Sequence, residues 1–140
     1  MKAPSAVFDT NIFISALVYG GVPTECVELA RDGSVKLYIS TKLLLELAEK
    51  LREKFSFSED MITDGVVGIS AFSQIVVPTE KVDLIGSDPD DNIILEIAKE
   101  IGADYIVSGD KKHILPLGRF GKTKIVTASE FVKANPLFFR

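Results

Sequence analysis

Ser5-Ala6-Val7-Phe8-Asp9-Thr10-Asn11 carries a short run of β-branched and aromatic residues into an acid, a hydroxyl and an amide. Such a run reads as a strand closed by Asp9. Asn11 to Tyr19 then forms a short apolar helix that Gly20-Gly21 stops, and Pro23 opens a second helix ending at Asp32-Gly33. Val35 to Ile39 is the second strand. Ser40-Thr41 caps a helix through about Phe55, and Ser58 before Glu59 and Asp60 starts another through about Ser73. Ile75 to Pro78 reads as a third strand. Asp88-Pro89-Asp90-Asp91 opens a helix whose apolar stripe is Ile93, Ile94, Ile97, Ala98 and Ile101. Asp104 to Ser108 and Lys124 to Val126 are the last strands, and Thr127-Ala128-Ser129-Glu130 has the capping-box pattern of a final helix.

Strands that alternate with helices define an α/β protein whose strands pair in parallel through right-handed crossovers. No repeat or linker divides residues 1–140, so one domain is expected. In such sheets ligands bind beyond the carboxyl ends of the strands, where the strand order reverses. Acids that follow strands are therefore the candidates for chemistry.

The composition, 46% hydrophobic and 26% charged over 140 residues, is that of an ordinary globular chain and excludes a disordered or collagen-like one. No apolar run is long enough to span a membrane, and Met1 to Ser5 lacks the apolar region of a secretory signal, so a cytoplasmic location is expected. The single cysteine, Cys26, excludes an internal disulfide and a thiolate metal centre; its spacing with Val22, Leu29 and Ala30 marks it as a buried helix residue. The net charge of −4 argues against non-specific coating of nucleic acid. That average hides a split. Seven acids lie between Asp83 and Asp104, and five bases (Lys111, Lys112, Arg119, Lys122, Lys124) lie between Lys111 and Lys124. Each block suits a solvated face; together they suit a cation-dependent enzyme acting on a polyanion.

Four carboxylates stand out. Asp9 and Asp110 follow strands and belong at one end of the sheet, Asp91 lies in the first turn of a helix, and Glu46 sits within two turns of the second strand's end. Each also has a plain structural reading. Asp9 can cap the first helix, Glu46 continues a polar stripe with Lys42, Glu49 and Glu53, Asp91 belongs to a capping triplet with Asp88 and Asp90, and Ser108-Gly109-Asp110 is an acceptable turn.

In order and spacing the set resembles the PIN-domain nucleases, especially the single-domain bacterial and archaeal toxins of toxin-antitoxin pairs. The matching elements are Asp9-Thr10-Asn11 after the first strand, Glu46-Leu47 in the helix after the second, Asp91 with Ile94 and Ala98, and Ser108-Gly109-Asp110. The resemblance implies a three-layer α/β/α sandwich with a central, mainly parallel sheet, acting as a metal-dependent endoribonuclease. Asp9, Glu46, Asp91 and Asp110 would hold the metal, while Thr10, Asn11, Ser108, Lys111 and Lys112 would orient Asp9 or contact RNA. Oxygen-only ligands select Mg²⁺ or Mn²⁺. The implied partners are an RNA substrate, a cognate antitoxin and a second copy of the chain, and no membrane. Leu137, Phe138 and Phe139 are expected to be buried against the core or across a dimer interface. Clustered like charges also lead to the expectation that removing the Asp9 charge stabilises the metal-free protein. The rival from another class is a PIN-fold protein that binds RNA or a partner without cleaving. A phosphohydrolase with Asp9 as nucleophile is disfavoured, because Asn11 stands where its second Asp belongs.

Overall fold

Ala6, Val7 and Phe8 are all fully shielded from solvent, the mark of a strand covered on both faces. They form β1 (Ser5–Phe8), which α1 (Thr10–Val18) and α2 (Val22–Arg31) connect to β2 (Lys36–Ile39). Next come α3 (Thr41–Phe55), α4 (Glu59–Ala71), β3 (Ser73–Ile75), α5 (Pro89–Ile101) and β4 (Tyr105–Val107). A 3-10 turn at Leu115–Leu117, β5 (Arg119–Phe120), β6 (Thr123–Val126) and α6 (Ala128–Ala134) complete the chain. The computed structural model describes residues 3–84 and 89–135, and at 89–91 the backbone alone. The tail expected to be buried, with Leu137, Phe138 and Phe139, lies outside the described residues, as does Asp88.

The sheet order is β3-β2-β1-β4-β6-β5, parallel throughout except for β5 against β6. This is the mainly parallel α/β architecture expected. The chain steps outward from β1 to β2 to β3, then α5 carries it back across to β4. Right-handed crossovers in opposite directions place α5 on the face opposite α1 and α2. Phe8, Phe13, Tyr105 and Phe131 stack at ring distances of 5.2 to 5.7 Å, which draws α1 and α6 onto the same face. Cys26 is buried as expected; burial, reinforced by the Glu25 charge, pushes its thiol up to about 12, so it is inert.

Two elements differ from expectation. The third strand lies two residues earlier than Ile75 to Pro78, because its pairing with β2 ends at Ile75 opposite Ile39, and Val77 is largely exposed. The two-residue β5 had no sequence signal of its own; it exists through pairing with β6 across the turn at Gly121, whose φ of 59° suits glycine.

The acidic block is also not one face. Residues 79–84 run back along α5 and are tied to it by side chains one helical turn apart: Asn92 Oδ1 accepts the Leu84 N–H, Glu96 Oε2 the Val82 N–H, and Glu100 Oε1 both the N–H and the hydroxyl of Thr79. The Thr79 hydrogen bonds hold the Glu100 carboxyl below its ordinary range. Asp104 accepts the Ser5 N–H and hydroxyl. Among the described residues, Glu96, Glu100 and Asp104 therefore satisfy backbone amides.

Candidate metal centre

Parallel register places the first functional pair. Phe8 is opposite Val107 across β1 and β4, so Asp9 and Ser108 emerge side by side, and the ladder continues through Asp9 N–H to the Val107 carbonyl at 2.9 Å. Ala6 opposite Leu37 likewise brings Ser40, at the end of β2, beside Asp9. This edge lies where the strand order reverses around β1, the position where α/β sheets bind ligands.

Asp9 is 4% exposed, and three hydrogen bonds hold its carboxylate. The Ser108 hydroxyl donates to its Oδ2 at 2.7 Å, and the Thr10 hydroxyl and Asn11 N–H donate to its Oδ1 at 3.3 and 3.4 Å. Asp9 thus does cap α1. Ser108 in turn accepts the Asp110 N–H at 3.0 Å.

Ser40 Oγ caps α3 by accepting the Leu43 N–H at 3.2 Å, and the helix then carries Glu46 inward. The Glu46 side chain is only 13% exposed and its Oε2 is shielded from solvent, so it is not the solvated stripe residue that its spacing with Lys42 and Glu53 permits. One turn on, the Lys50 ammonium lies 2.9 Å from Glu46 Oε1 and donates to Thr10 Oγ1 at 2.9 Å. A continuous polar chain therefore runs Glu46, Lys50, Thr10, Asp9, Ser108, Asp110. Lys50 was not among the expected residues; its sequence signal was the Glu-to-Lys spacing of four, which also stabilises any exposed helix.

The other two acids are placed differently. Asp110 turns one carboxylate oxygen onto its own loop, where Oδ1 accepts the N–H groups of Lys112 and His113 at 2.9 and 3.0 Å. Asp91 lies in the first turn of α5, and its side chain is outside the described residues. Among the described residues no three Asp, Glu, His or Cys side chains are gathered closely enough to hold an ion. The donor set itself fits a hard divalent cation: carboxylate and hydroxyl oxygens alone, with the Lys50 ammonium standing as a cation on Glu46.

Of the residues expected to contact substrate, Thr10 and Ser108 are fully buried and their hydroxyls serve Asp9: Thr10 opens α1 directly after Asp9, and Ser108 emerges beside it from β4. Asn11, Lys111 and Lys112 are exposed. Glu46 opens toward a cleft of about 590 Å³ between α3 and the 79–84 segment, whose lining includes Lys42, Glu49, Lys81 and Glu96. The basic block is divided. Lys111 and Lys112 follow Asp110 at the carboxyl edge, but Lys124 is beside Tyr105, the first residue of β4, and Arg119 pairs with Lys124. Lys122 lies against Gly102 beyond the end of α5, where a Cβ would come 3.2 Å from its Cε. Arg119, Lys122 and Lys124 therefore belong to the opposite end of the sheet.

A mainly parallel sheet with acids at its switch-point edge defines an α/β protein whose candidate site lies at the carboxyl ends of its strands. The PIN domain family model matches residues 5–112, and the chain belongs to that family. A solved chain from the VapBC2 complex of Rickettsia felis, described as bound to a DNA fragment from their promoter, has the same fold, with a TM-score of 0.63, 16% identity, and coverage of 88% of this chain and 98% of that one. No curated protein matches the chain. Among the described residues no single helix is long and apolar enough to cross a membrane.

Proposed function

We propose that this chain is a metal-dependent endoribonuclease that hydrolyses RNA phosphodiester bonds, and the toxin of a toxin-antitoxin pair. PIN domains are generally nucleases. The observation that carries the reading is the convergence of Asp9 and Glu46 at the switch-point edge, linked through Thr10 and Lys50. Asp9, Glu46 and Asp91 would hold Mg²⁺ or Mn²⁺, with Asp110 as the fourth acid. An ion bound there would supply a water of lowered pKa and offset charge on the scissile phosphate. The chain's own residues do the rest: Ser108 and Thr10 keep Asp9 in one orientation, while Asn11, Lys111 and Lys112 face the RNA backbone. The antitoxin reading is supported by the similar fold of a chain from an assembly of the VapBC type. The whole chain acts as one domain, in the cytoplasm, as a homodimer.

The alternative, a PIN-fold protein that binds without cleaving, is favoured by one observation, the use of Asp110 as a turn cap. Incubating the purified protein with labelled RNA in chelator and in Mn²⁺ separates the two. The proposed reading expects Mn²⁺-dependent fragments that vanish in Glu46→Gln; RNA retained intact by the parent in Mn²⁺ supports the alternative.

The split of the basic block carries its own prediction. Neutralising Lys111 and Lys112 together should lower RNA affinity and reduce the slope of log affinity against log salt by about one to two, since each lost phosphate contact removes about 0.7 to 0.9 from that slope. Neutralising Lys122 and Lys124 should leave the slope at its parent value. Equal losses from both pairs would mean that RNA wraps both ends of the sheet.

A further inference from the structure

Lys50 is the one cation joined by described contacts to the carboxylate edge, and its position is unusual for a helix ion pair. Its side chain is 27% exposed and that of its partner Glu46 is 13% exposed, so water screens the pair far less than it screens the α2 pair of Arg31 and Glu28, at 56% and 47%. The ammonium contacts both arms of the edge, Glu46 Oε1 and Thr10 Oγ1, each at 2.9 Å. By donating to the Thr10 oxygen it leaves the Thr10 proton to point at Asp9 Oδ1, 3.3 Å away. Lys50 thus sets the orientation of one acid directly and of the other through a hydroxyl.

We propose that Lys50 is the resident counter-cation of this edge: it holds Glu46 and Asp9 in place in the metal-free protein and must release Glu46 for a divalent ion to bind, so that it sets the affinity for the ion. This rests on the metal-dependent reading above. Two cations cannot share one carboxylate at contact distance in a poorly hydrated site without strong repulsion. A divalent ion also requires Glu46 at about 2.0 to 2.6 Å, closer than the ammonium now stands. The four-carbon stem of lysine lets the ammonium swing away, which a shorter or planar cation would do less readily. Lys50 is in this sense a positioning residue, in competition with the ion it prepares for.

Mn²⁺ binding to the full-length protein, followed by the electron paramagnetic resonance signal of the free ion, tests this without reference to cleavage. Lys50→Met keeps the stem and removes the charge; Lys50→Gln keeps a hydrogen-bond donor for Thr10 and serves if the Met variant folds poorly. Both should bind Mn²⁺ about tenfold tighter than the parent, the factor by which a state populated one time in ten lowers apparent affinity. Lys50→Arg should bind no tighter than the parent. In chelator the neutral variants should melt below the parent, and Mn²⁺ should raise their melting temperature by more. Unchanged or weaker Mn²⁺ binding in both neutral variants, with the parent binding normally, overturns the role of Lys50 and leaves the nuclease reading standing. A parent that binds no Mn²⁺ overturns both.

Discussion

Asp9→Asn is expected to lower Mn²⁺-dependent RNA cleavage by orders of magnitude and at the same time to cost about 1 to 2 kcal/mol of stability, the penalty for leaving a buried donor unsatisfied. Asparagine caps helices as well as aspartate does, so the cap itself is not at issue. The loss comes from the two hydroxyls. Ser108 donates to Oδ2 and Thr10 donates to Oδ1, and the Thr10 proton is committed because Lys50 already donates to its oxygen. An amide offers one acceptor oxygen, so whichever hydroxyl meets the NH₂ group loses its partner. The sequence-based expectation had the opposite sign, stabilisation through relief of charge repulsion. The described contacts argue for the other sign: Glu46 is paired with Lys50, and Asp110 accepts from two loop amides, so these two offer little repulsion to relieve. Melting temperatures of parent and variant in chelator and in Mn²⁺, alongside cleavage, decide the matter. A higher melting temperature for the variant in chelator would restore the repulsion argument, and full cleavage would remove Asp9 from the chemistry.

Phe131→Ala is expected to cost about 3 to 5 kcal/mol, the usual range for truncating a fully buried phenylalanine. Phe131 is wholly shielded from solvent and stands edge-on to two rings, 5.7 Å from Phe8 and 5.2 Å from Tyr105. Phe8 packs in turn on Phe13 at 5.7 Å. One ring therefore joins α6 to β1, β4 and, through Phe8, to α1. The capping box of Thr127 and Glu130 still forms the helix in the variant, but nothing of similar size fills the space beneath it. Phe8 immediately precedes Asp9, so the lost packing lies next to the carboxylate edge. Urea unfolding should show a much lower midpoint with an unchanged slope. Any material that remains folded should keep its Mn²⁺ affinity, since no described ligand touches the ring. A loss below about 1 kcal/mol would show that α6 is a loosely held terminal element.

Local chemistry was legible in the sequence by itself. Ser40, Ser58 and Thr127 cap helices where their spacing to the following residues says they should, and Asp9 caps α1 as one of its two readings held. The alternation of strands and helices, and the acids at strand ends, follow from short-range propensity and periodicity, which act over a few residues. Tertiary structure decided everything that depends on register. Ser108 meets Asp9 across 99 residues of chain because Phe8 falls opposite Val107, and no local pattern encodes that pairing. In sequence Lys50 is only one end of a Glu-to-Lys spacing of four; it joins the site once α3 settles with Thr10 within its reach, 40 residues away. The acidic and basic blocks each read as one face because neighbours in sequence share a charge. In the fold, Glu96 and Glu100 turn to backbone amides, and β6 carries Lys124 to the far end of the sheet from Lys111. Charge composition is additive along the chain, whereas where a charge points is set by the strand and helix partners it packs against, and those partners are distant in sequence.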